Sequence, residues 1–113
     1  MKVTIFDVAN WFLTKESMTP KKLQKLCWYA YSWFIFLNNE EAMSIESELF
    51  TAEFQAWVHG PVNPELYSKY REFGYDFIPQ MNEVETSLDN PETVVIRIFL
   101  EEIYRVYGAY SAD

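Results

Sequence analysis

Residues 56–70, AWVHGPVNPELYSKY, force a corner on this chain. Gly60 is free to take a positive φ, and Pro61 stops a helix from running through that point. Three residues later Pro64 sits where the first turn of a new helix accepts it, because the amide it lacks would be unpaired there anyway. Asn63 before it is a fitting N-cap. Trp57 and Val58 ahead of the break, and Leu66, Tyr67 and Tyr70 after it, are spaced to bury faces on both sides of the corner. The motif is a rigid helical elbow loaded with aromatics. It holds no catalytic pattern, which turns the reading toward binding.

The segments around the elbow are mainly helical in pattern. Residues 4–15 form a first helix, with Thr4 or Asp7 as its cap and Val8, Trp11 and Phe12 on one face. A second helix spans about 19–38, with Thr19 as N-cap and Pro20 at the first helical position. Leu23, Leu26, Ala30, Trp33 and Leu37 are its stripe. Trp28, Tyr29, Tyr31, Phe34, Ile35 and Phe36 make it apolar on almost every side, so it lies at the centre of the fold or its outer face is covered. Lys21, Lys22, Gln24 and Lys25 crowd its first two turns, against the helix dipole. They are either a functional basic patch or a solvated face.

Residues 40–50 read as an acidic connection. Over 51–59, Phe54, Trp57 and Val58 fit a helix while Phe54, Ala56 and Val58 fit a strand; helix is preferred. A helix from 64 to 73 closes at Gly74 as a C′ residue. Residues 75–90 read as loop or a short extended piece. A last helix starts at a cap on Asp89 or Asn90 with Pro91 behind it. Its face is Val95, Ile98, Phe99, Glu102, Ile103, Val106 and Tyr107, and Gly108 caps it. The expectation is one mostly α domain over 1–113, with about five helices around a central hydrophobic one and room for a short β element.

Composition narrows the function. Half of the 113 residues are apolar and 19% are aromatic, more than a core of this size requires, so part of the aromatic excess belongs at a surface. The net charge is −8: residues 1–71 hold eight acids and seven bases, residues 72–113 nine acids and two bases. The acidic second part disfavours nucleic acid and suits a basic protein partner or a solvated face. The longest apolar run, residues 26–37, has twelve residues and is too short to span a bilayer. A single cysteine and no visible signal pattern point to a reducing cytoplasm.

Catalytic chemistry finds little to work with. Cys27 and His59 are single residues of their kinds, so Cys/His zinc sites cannot be built. Cys27 lies in the apolar run, where a thiol is inert, and His59 is expected to make a polar contact at the elbow. No phosphate-cradling glycine motif occurs. The pairs Glu40-Glu41, Glu83/Glu85 and Glu101-Glu102 read as solvated. The expectation is no enzyme, no cofactor and no metal.

Two stretches carry a family likeness. Residues 18–37, MTPKKLQKLCWYAYSWFIFL, and 49–74, LFTAEFQAWVHGPVNPELYSKYREFG, together resemble the signature of the Panacea domain, also called the SocA-like antitoxin domain. Phe6-Asp7-Val8-Ala9 is similar to its usual opening. The likeness is good over 5–74 and loose over 91–113. The matching positions are Lys22, Leu23, Gln24, Lys25 and Leu26, then Ala56, Trp57, Gly60, Pro61, Val62, Pro64 and Tyr67. His59 departs from the pattern, where Tyr or Lys is common. Many relatives continue beyond the Tyr-Gly near this C-terminus, so the chain is a short member or a partner covers what that segment would cover.

The resemblance implies a mostly helical antitoxin of bacteria, prophages or mobile elements. It would neutralise a toxin encoded beside it by direct binding, or deliver that toxin to a host protease as an adaptor. Trp28, Tyr31 and Tyr67 are the expected interface anchors, with Lys21, Lys22 and Lys25 as rim charges. The alternative is an anti-defence or regulatory protein of a phage or mobile element that binds a host protein with its acidic face.

Overall fold

A computed structural model describes residues 3–38, 50, 52–58, 60–82, 88 and 93–109. Helix α1, Ile5–Leu13, starts on a reciprocal cap: the Asp7 amide donates to Thr4 Oγ1 at 3.2 Å, and the Thr4 amide donates to Asp7 Oδ2 at 2.8 Å. Both residues named as cap candidates are used, each satisfying the other's orphan donor. Val8, Trp11 and Phe12 are buried as their spacing requires.

Helix α2, Pro20–Asn38, is the spine. Thr19 Oγ1 accepts from the Lys22 amide at 3.2 Å, so the expected N-cap is in place. Leu23, Leu26, Cys27 and Ala30 are at most 1% exposed. They form one core with Val8 and Phe12 of α1, Leu66 beyond the elbow, and Leu100 and Ile103 near the C-terminal end. Each of the leucine, isoleucine, valine and phenylalanine side chains among them contributes about 1.5–3 kcal/mol by leaving water.

The inward stripe of α2 stops early. Trp33 and Leu37, expected on it, are exposed, as is Phe36. At a rise of about 1.5 Å per residue, α2 is more than twice as long as α1 and outruns it. Trp33 instead turns toward the last helix.

The preferred helix over 51–59 is corrected. Gln55–Trp57 is strand β1, and Gly60–Val62 is strand β2. They pair antiparallel, with Trp57 opposite Gly60, Ala56 opposite Pro61 and Gln55 opposite Val62. Gly60 has φ +122°, a conformation that lets the strands turn back and that an L side chain resists. Pro61 is tolerated because a two-stranded ribbon leaves outward amide positions that need no partner. The hairpin stands proud: Trp57 and Val58, expected to be buried before the corner, are exposed. His59 lies outside the described residues.

Asn63 then caps helix α3, Pro64–Tyr70, its Oδ1 accepting from the Leu66 amide at 2.9 Å. A 3-10 turn, Arg71–Phe73, completes the expected 64–73 segment, and Gly74 ends it with φ +55°. Leu66 and Tyr70 are buried; Tyr67 faces outward. Residues 75–82 return beside α1, where Met18 and Ile78 form an antiparallel bridge.

Helix α4, Val94–Tyr107, packs on α2 and α1. The expected Asp89 or Asn90 cap and Pro91 start lie outside the described residues. Its phase differs from the expected one. Leu100 and Ile103 are buried, with Ile96, Phe99, Tyr104 and Tyr107 packed beside them, while Val95, Ile98, Glu102 and Val106 are exposed. The helix carries apolar residues on two faces, and the face that includes Leu100 and the tyrosines fits α2. Tyr107 stacks on Tyr29 with centroids 3.9 Å apart, its hydroxyl accepts from Trp33 Nε1 at 2.8 Å, and Phe99 meets Phe34 edge-on. Gly108 caps the helix at φ −64°, so handedness does not require glycine there. Space does: a Cβ would lie 2.5 Å from the Tyr104 carbonyl oxygen.

The chain is mostly helical, with four α-helices and one two-stranded ribbon among the described residues. Among them no helix is long and apolar enough to cross a membrane.

Candidate functional site

Gln24 joins the two sequence motifs. Its side-chain amide pairs with the backbone of Asn63 as a neighbouring strand would: Nε2 donates to the Asn63 carbonyl and Oε1 accepts from the Asn63 amide, both at 3.0 Å. Gln24 is 7% exposed and Asn63 3%. Asn63 Nδ2 also donates to the Glu53 carbonyl at 2.8 Å. One buried glutamine on α2 thus fixes the residue that ends β2 and starts α3. Buried polar groups joined this completely set a unique geometry.

That lock opens a cleft of about 380 Å³ between the first turns of α2, the hairpin, α3 and residues 71–75. Leu23, Val62 and Leu66 supply apolar lining, and Lys21 and Lys25 line it one helical turn apart. Trp57 and Tyr67 meet edge-to-face with centroids 4.8 Å apart. The Trp57 indole is held by donating to Gln55 Oε1 at 2.9 Å. Arg71, Tyr70 and Tyr75 complete the aromatic and cationic lining.

Three cations and four aromatic rings line this space, and among the described residues no aspartate or glutamate does. The protein as a whole carries −8. Glu65, Glu72 and Asp76, each next to a lining residue in sequence, are exposed and stay off the lining. Among the described residues no ion pair engages Arg71. The described lining is thus cationic and aromatic on an acidic molecule, with rings able to stack on or enclose an apolar group.

The sequence-derived interface residues separate into three groups. Lys21, Lys25 and Tyr67 come together at the cleft, with Trp57, Gly60, Pro61, Pro64, Leu23, Gln24 and Leu26 building or supporting it. Trp28 and Tyr31 do not join them. They sit half-buried against Phe54, at 5.0 Å and 5.2 Å between centroids, and Tyr31 also meets Phe50. They cover the segment before the hairpin rather than standing free as anchors. Lys22 is no rim charge: its Nζ donates to Glu16 Oε1 at 2.9 Å and to the Gly108 carbonyl. Its side chain is only 17% exposed.

Arg71 and Tyr75 were missed. Tyr67, Arg71 and Tyr75 recur every four residues, a signal that the expected end at Gly74 obscured.

The titratable groups elsewhere are structural. Burial pushes the Cys27 thiol far up, so it stays protonated and unreactive. Burial also raises the Tyr70 phenol, with the nearby Cys27 as a lesser cause. Tyr104 is pushed up to about 12, first by desolvation and then by donating its proton to Glu16 at 2.8 Å. The hydrogen bond and charge of Arg105 hold Glu102 below its usual range. Among the described residues no three His, Cys, Asp or Glu side chains gather as metal ligands would. Comparison with family models, curated proteins and solved structures returns no match.

Proposed function

We propose that this chain is an antitoxin that neutralises a toxin protein by direct binding, with the cleft as its seat. The observation that carries the binding part is the cleft itself: cations and rings gathered on an otherwise acidic protein, over a buried amide lock. The resemblance of the α2 and elbow motifs to the SocA-like antitoxin domain supplies the class of partner. Trp and Tyr side chains offer large contact area with two χ angles to freeze, which suits Trp57 and Tyr67 as anchors. Cytoplasmic location and delivery to a protease belong to the same reading.

The test is a titration of purified protein against the toxin encoded beside it. Protection should be complete near one molecule per toxin. Full protection at a ratio far below one would mean turnover and would end the binding reading. Adding a host protease and following toxin loss separates delivery from blocking.

A further inference from the structure

We draw no further inference here: the strongest candidate, the outer edge of strand β1, whose three residues are exposed and pair on one side with β2, carries nothing, because nothing in the structure shows what covers it.

Discussion

The two flanks of α2 use the same residue types for opposite ends. On the α4 flank, Lys22 is fixed by Glu16 and the Gly108 carbonyl, Tyr29 stacks on Tyr107, and the Trp33 indole donates to the Tyr107 hydroxyl. On the elbow flank, Lys21 and Lys25 line a cleft with Trp57 and Tyr67, whose rings stay partly open to solvent. Lys21 and Lys22 are neighbours in sequence, yet about 100° of helical rotation sends one to the cleft and the other to Glu16 and Gly108. A lysine near the start of a helix has no role until the elements beside each face are known.

The shared spine sets the scale. Leu26→Ala should lower unfolding free energy by about 2–5 kcal/mol, because a fully buried leucine leaves a cavity. A loss under about 0.5 kcal/mol in urea titration would show that α2 is not central to both flanks.

Next comes the lysine on the α4 flank. Lys22→Ala should cost about 1.5–3 kcal/mol, as loss of hydrogen bonds to a charged group does. A cost under about 0.5 kcal/mol in urea titration would show that Lys22 does not hold that flank together.

On the elbow flank, Gln24→Ala orphans the buried amide and carbonyl of Asn63 and should cost about 1–3 kcal/mol per group left unpaired. Amide exchange at Asn63 and Leu66 should quicken more than in α4. Gly60→Val should cost of order 1–3 kcal/mol through its positive φ, since a Cβ there meets only Lys25 Cε at an ordinary 3.8 Å. Thermal denaturation of Gly60→Val unchanged from wild type would remove the backbone argument.

The smallest effect belongs to the α4 flank at high pH. Tyr104 has its folded pKa raised from 10.0 to about 12, by burial first and the Glu16 hydrogen bond second. Between those values the folded state holds the proton more tightly than the unfolded state. The contribution is thus complete below about pH 10 and lost as pH rises toward 12. Tyr104→Phe should flatten that part of the stability profile; an unchanged slope would deny the link.

Much of the frame was legible because it depends on local chemistry. Thr4, Asp7, Thr19 and Asn63 are caps whose side chains bond within three residues of themselves. Gly60 and Gly74 mark positive φ, which the absence of a Cβ permits. The central place of α2 follows from its nearly all-round apolar surface. Residues 55–57 were harder. Three residues satisfy helical and alternating patterns alike, and only pairing with β2 makes them a strand.

The amino-acid order by itself determined the corner, the starts of α1, α2 and α3 and the mostly helical class, since each depends on contacts spanning a turn or less. Tertiary structure decided the phase of α4, where two apolar faces competed and Leu100 with the tyrosines fitted α2. It also placed Gln24 against Asn63 across 39 residues, Arg71 beside Lys21 and Lys25, and Trp28 against Phe54. Such contacts join positions far apart along the chain, and periodicity reports which residues share a face but not what that face meets.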